Sequence, residues 1–136
     1  MKLKVTYFHE NMEPLVRKHA YDAGADVPLY KDIVIETGKN VIPLGFNVEI
    51  PPGFAGFLYP RSSVMGNNTS YPVAPIDSDY TGEFNLVIYN PGDPFILKQG
   101  TRLCQLVIMP VLIADFTTDV GLRRSDNGLG STGRWS

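Results

Sequence analysis

The densest chemistry in the chain is Pro75-Ile76-Asp77-Ser78-Asp79-Tyr80-Thr81-Gly82-Glu83. Asp77 and Asp79 lie two apart, so in a strand both carboxylates face one side. Such a pair can hold a metal or position a water, and it equally suits a solvated hairpin end. Tyr80 points the other way or caps a turn. A second candidate is Pro60-Arg61-Ser62-Ser63, directly after a strand-like run. Pro60 stiffens the turn, Arg61 can fork onto a phosphate or a carboxylate, and Ser62 and Ser63 add donors. The alternative is a turn whose arginine makes a structural ion pair. The third is Gln105, placed inside the apolar run of Gly100-Thr101-Arg102-Leu103-Cys104-Gln105-Leu106. A polar residue there needs a partner, either a core hydrogen bond or a ligand.

Near the C-terminus, Gly128-Leu129-Gly130-Ser131-Thr132-Gly133 satisfies a Gly-x-Gly-x-x-Gly pattern. It is not a dinucleotide fingerprint, because the three residues that remain cannot form the strand–helix unit that motif opens. Nor is it a P-loop, since Arg134-Trp135 stands where Lys-Ser/Thr is required. Exposed backbone N–H groups and the hydroxyls of Ser131 and Thr132 can still wrap phosphate oxygens, with Arg123 and Arg124 supplying charge. The alternative is a disordered terminus. Residues 122–136 have almost no apolar content and six Gly or Ser, which reads as a mobile tail. His9 and His19 lack metal-ligand spacing and read as surface residues. The single cysteine, Cys104, excludes an internal disulfide and a multi-cysteine zinc site, and reads as a small core residue.

The elements that must hold these residues are short. At 136 residues the chain makes one domain. Hydrophobic residues are 43% and charged residues 19%, too apolar for disorder. A net charge of −2 argues against non-specific nucleic-acid binding. No apolar stretch of about 7 residues follows Met1-Lys2-Leu3-Lys4, so no signal peptide is indicated. The longest apolar-rich run, 103–114, is broken by Gln105 and Pro110 and is too short to span a bilayer. No membrane association and a cytoplasmic setting are therefore expected. Eleven prolines and thirteen glycines cut the chain into short β-branched or alternating runs at 33–35, 41–42, 46–50, 54–59, 84–89, 95–97 and 103–109. This spacing predicts an all-β sandwich or barrel. Residues 11–21 alone could hold a helical turn or two.

These segments, in this order, resemble the five motifs of the trimeric dUTPase family. Ala23-Gly24-Ala25-Asp26-Val27 resembles the first, and Pro60 to Ser63 matches the second. Ala74 through Glu83 resembles the third, Gly100 to Leu106 matches the fourth, and Arg124 through Gly133 resembles the fifth. The motifs run from residue 23 to 133, nearly the whole chain.

The resemblance implies an all-β, distorted jelly roll of the β-clip, dUTPase-like barrel type. It implies a homotrimer whose three sites each draw on more than one subunit. Residues 1–122 would form the β domain and 123–136 a flexible C-terminal lid. The activity implied is hydrolysis of dUTP to dUMP and pyrophosphate with Mg²⁺, which limits uracil in DNA and supplies dUMP for thymidylate. Asp77 would be the general base for the water attacking the α-phosphorus. Tyr80 would pack under the deoxyribose and exclude a 2′-hydroxyl. Ala74 and Ile76 belong to the hairpin region that reads uracil. Arg61, Ser62 and Ser63 would hold phosphate oxygens, with Gln105 nearby as a further substrate-binding residue. Arg124, Leu129, Gly130, Ser131 and Thr132 would close over base and outer phosphates. Asp26 would lie near the Mg²⁺, through water.

A dCTP deaminase shares the implied fold, but it needs a glutamate two to three residues before the asparagine that ends its strand. In residues 84–90 that place holds Val87 and Ile88. A nucleotide-switched regulatory module on the same scaffold, gripping a protein partner, is the rival of another class.

Overall fold

Alternation along the strands sets the core. In Asn85–Asn90, Leu86, Ile88 and Asn90 are buried while Asn85 and Tyr89 face outward, the period of a half-buried strand. The computed structural model describes residues 1–65 and 69–121, with Ser62 and Met65 by their backbone alone. Nine strands are found among them: β1 (Val5–Tyr7), β2 (Ala25–Pro28), β3 (Ile33–Ile35), β4 (Gly38–Pro43), β5 (Phe46–Val48), β6 (Phe54–Pro60), β7 (Asn85–Asn90), β8 (Phe95–Leu97) and β9 (Arg102–Pro110). A single helical turn, α1 (Ser62–Met65), follows β6.

Every pairing is antiparallel. The strands form β1-β5, β2-β9-β6, β3-β8 and β4-β7 sheets around one apolar core. Its innermost side chains include Phe46, Phe84, Leu29, Ile35, Ile42, Ile88 and Leu103. The chain is thus all-β, a distorted jelly roll, as expected. Strands such as β3 with β8 and β2 with β9 are distant in sequence, so long-range closure rather than local propensity makes the fold.

Three sequence expectations need correction. Residues 11–21 hold no helix. Pro14 offers no N–H, Leu15 N donates to the Tyr7 hydroxyl (2.9 Å), and Val16 bridges Asp26, so tertiary partners claim this backbone. Asp77 and Asp79 are not strand neighbours; Tyr80 N donates to Asp77 O (3.1 Å) and closes a turn over 77–80. Gln105 is exposed on β9, which removes the core-hydrogen-bond reading. The boundary at 122/123 and the tail lie outside the described residues.

Candidate active site

The three-stranded sheet gathers the first, second and fourth segments. Asp26 on β2 and Tyr59 on β6 both lie opposite Gln105 on β9. Pro60 lies opposite Cys104, and Arg61 N continues the ladder by donating to Leu103 O (3.0 Å). Val64 N then donates to Arg61 O (3.0 Å), turning the chain into α1 with Ser63 exposed. Gly24 packs closely on Gln105: a Cβ there would lie 2.4 Å from Oε1 and 3.1 Å from Cβ, so the glutamine side chain would have to shift.

A polar cleft of about 180 Å³ results, lined by Lys18, Asp22, Asp26, Arg61, Arg102 and Gln105. Arg102 Nη1 donates to Asp26 Oδ2 at 3.1 Å, an ion pair that is half-buried. Among the described residues Arg61 has no carboxylate partner and the Gln105 amide makes no hydrogen bond. Among the described residues the structural ion pair of this cleft is made by Arg102 with Asp26. Three cations against two carboxylates leave the cleft suited to a polyanion. Behind it, burial and the nearby Asp26 charge push the Cys104 thiol up to about 12, so it is no nucleophile at neutral pH.

The third segment builds a separate cleft of about 260 Å³, lined by Pro75, Ile76, Asp77, Tyr80, Phe84 and Asn85. Ile76 is fixed to β6 by two bonds, Gly56 N to Ile76 O (3.0 Å) and Ile76 N to Gly56 O (2.7 Å). Its backbone is thereby spent, and what it offers the cleft is its side chain. Ala74, just before, is exposed and its N–H and C=O make no hydrogen bond among the described residues. The Asp77 carboxylate is likewise exposed and has no side-chain partner among the described residues, while Asp79 does not line this cleft.

Tyr80 is partly packed, its ring 6.1 Å from that of Phe84 and its hydroxyl donating to Glu83 O (2.6 Å). Glu83 Oε2 accepts from Gly45 N (2.7 Å), and Asn47 Nδ2 donates to Gly82 O (2.7 Å) and Tyr80 O (3.3 Å). Sequence reasoning missed both anchors. Asn47 carried the signal that singled out Gln105, a polar residue within an apolar run.

No residue lines both clefts. One chain brings Asp26, Arg61 and Gln105 together, and Ile76, Asp77 and Tyr80 together, but does not join the two groups. The Ser62 side chain, Arg124, Leu129, Gly130, Ser131 and Thr132 lie outside the described residues.

Comparison with known proteins gives the family. The dUTPase family model matches residues 10–134. The deoxyuridine 5′-triphosphate nucleotidohydrolase of Desulfitobacterium hafniense is 34% identical over 143 aligned positions, covering 98% of this chain and 95% of that protein. The dUTPase of phage phi11 of S. aureus superposes with a TM-score of 0.80 at 24% identity, covering 90% of this chain and 98% of its own. A mutant of that phage dUTPase, described for its coordination of a structural Mg(II) ion, superposes equally well at 0.80 and 24%, covering 91% and 100%. These two share the fold. With the family model spanning most of its length and a close relative spanning nearly all of it, the chain belongs to the dUTPase family.

Proposed function

We infer that this chain hydrolyses dUTP to dUMP and pyrophosphate, through an Asp77-activated water. The observation that carries this is the free Asp77 carboxylate beside the Tyr80 ring in one cleft. A general base needs an unpaired lone pair within reach of a water, and Asp77 alone of the turn's two carboxylates lines the cleft. It takes the proton as the water oxygen bonds the α-phosphorus, and the bond to the bridging oxygen breaks to release pyrophosphate. Tyr80 supports the deoxyribose, and the free Ala74 N–H and C=O suit a uracil edge.

The triphosphate belongs in the other cleft, on Arg61 and Gln105, with Ser63 exposed on the turn that follows Arg61. No covalent nucleophile is needed; charge neutralisation and an oriented water suffice. Outside the described residues, Arg124, Ser131 and Thr132 supply further cation and donors for the outer phosphates.

Mg²⁺ fits this donor set as an ion held mainly by its substrate. Among the described residues no group of three His, Cys, Asp or Glu forms a cage. Mg²⁺ characteristically keeps waters and phosphate oxygens and needs few protein carboxylates. Asp26 Oδ2 is held by Arg102, so Asp26 would meet a hydrated ion through water from its other oxygen. When bound, the ion offsets charge on the phosphates and leaving group.

Because the two clefts are separate, the working site is shared between copies in a homotrimer. The chain beyond β9 supports assembly. After Val111 N donates to Gly53 O (2.9 Å), residues 112–121 carry Leu112, Ile113, Phe116 and Val120 almost fully exposed. Each such side chain gains about 1.5–3 kcal/mol on burial, which an interface with another copy would supply. A deaminase reading is disfavoured by β7, where apolar Val87 and Ile88 stand in place of the required acid. The deciding assay is pyrophosphate release from dUTP beside dCTP, dTTP and UTP. Release confined to dUTP supports the reading, and none from dUTP refutes it.

A further inference from the structure

Asn47 lies between Phe46 and Val48 on β5, both core residues, and is only 8% exposed. A buried amide must be satisfied, and here both of its N–H donors point at one short segment. They reach Tyr80 O (3.3 Å), at the end of the turn that carries Asp77, and Gly82 O (2.7 Å), two residues on. The donor itself is held rigidly, because β5 pairs with β1 through Thr6 opposite Asn47.

Fold and positioning separate at this point. Phe84 is anchored without Asn47: its N donates to Phe46 O and its O accepts from Leu44 N, both at 2.9 Å. Residues 80–82, beyond the turn bond from Tyr80 N to Asp77 O, are tied to the sheet by the Asn47 amide. The Tyr80 ring depends on where those carbonyls sit, since its hydroxyl folds back to Glu83 O and lies over Gly82. A Cβ on Gly82 would be 2.7 Å from the Tyr80 hydroxyl. Asn47 also borders a groove shared with Ser78, Tyr80 and Thr81, so water can reach the carbonyls once the amide is removed.

We propose that Asn47 is a positioning residue for the reaction, setting the Tyr80 ring and, through the 77–80 turn, the Asp77 carboxylate. The proposal rests on the roles inferred above for Asp77 and Tyr80. It makes sugar discrimination depend on a side chain that never touches substrate.

Asn47→Asp keeps the shape and loses the donors; Asn47→Ala removes the group and keeps the proposal testable if the aspartate variant fails to fold. The readout is kcat/KM for UTP relative to dUTP, together with hydrogen exchange of residues 77–83. A folding defect alone lowers both substrates in proportion and leaves their ratio unchanged. The expected result is a UTP/dUTP ratio raised about tenfold, the scale of one lost hydrogen bond. Exchange at the Tyr80 amide should quicken while β7 stays protected. An unchanged ratio in a folded variant overturns the proposal. Wild-type protein inert toward dUTP sinks the functional reading instead, and unaltered exchange at Tyr80 then refutes the anchoring as well.

Discussion

Gln105 on β9 lies directly opposite Asp26 on β2, and that register places an uncommitted amide beside a committed carboxylate. Arg102 holds Asp26 at 3.1 Å, while the Arg61 guanidinium, one strand away, has no partner among the described residues. The two arginines therefore separate by role, and the difference is measurable.

Arg61→Ala should leave the melting temperature nearly unchanged, because no partner is lost, and lower kcat/KM for dUTP about 10²-fold, as removal of a phosphate-neutralising donor does. Arg102→Ala should instead cost up to about 1 kcal/mol of stability, the scale of a partly exposed pair. Thermal melts and steady-state kinetics of both variants check this. A folded Arg61→Ala enzyme with wild-type kinetics would remove Arg61 from the site.

For Asp77, substitution by Asn should retain binding of a non-hydrolysable dUTP analogue and lose at least about 10²-fold in turnover. Asp79→Asn, outside the cleft, should stay within a fewfold of wild type. The reverse order would transfer the base to Asp79.

Cys104 gives a pH expectation. Burial raises its pKa from 9.0 to about 12, so the native state holds its proton where the unfolded chain has released it. The stability this gives is whole below pH 9 and falls as pH rises from 9 towards 12. Urea titrations across that range check the slope. A thiol reagent at pH 8 should label Cys104 only after unfolding; rapid native labelling would contradict its burial.

Arg124, Ser131 and Thr132 are assigned to the outer phosphates from their chemistry. Ending the chain after Arg123 should lower kcat/KM sharply and leave assembly and melting temperature as they were. The fluorescence of Trp135, the only tryptophan, should respond more to a triphosphate analogue with Mg²⁺ than to dUMP. Full activity in the truncated protein would exclude the role.

Much of this was legible in the residues. Runs such as 33–35 and 95–97 became β3 and β8 unchanged, because β-branched and aromatic residues suit a pleated, half-buried surface. Other elements were hidden for physical reasons. The Ala25–Pro28 segment has little strand propensity and is extended by its pairing with β9. The Asp77/Asp79 spacing imitates strand alternation, but a turn bond from Tyr80 N decides the geometry. Among site residues, Arg61, Gln105, Asp77 and Tyr80 were visible as chemistry, whereas their division into two clefts depends on long-range pairing. Asn47 went unnoticed, and Glu83, though part of the third segment, was given no role, since their partners are backbone atoms of a distant segment.

The most direct test of a shared catalytic site is subunit complementation. Asp77→Asn and Arg61→Ala proteins, each nearly inactive, are unfolded together, refolded as a mixture and assayed for pyrophosphate release from dUTP. Light scattering should first give a mass near three times 15.1 kDa. If each site takes Asp77 from one copy and Arg61 from another, about a quarter of the sites in an equal mixture are intact by chance, and activity returns to that level. A mixture no more active than its parents would contradict the account, because each chain would then have to build its site alone.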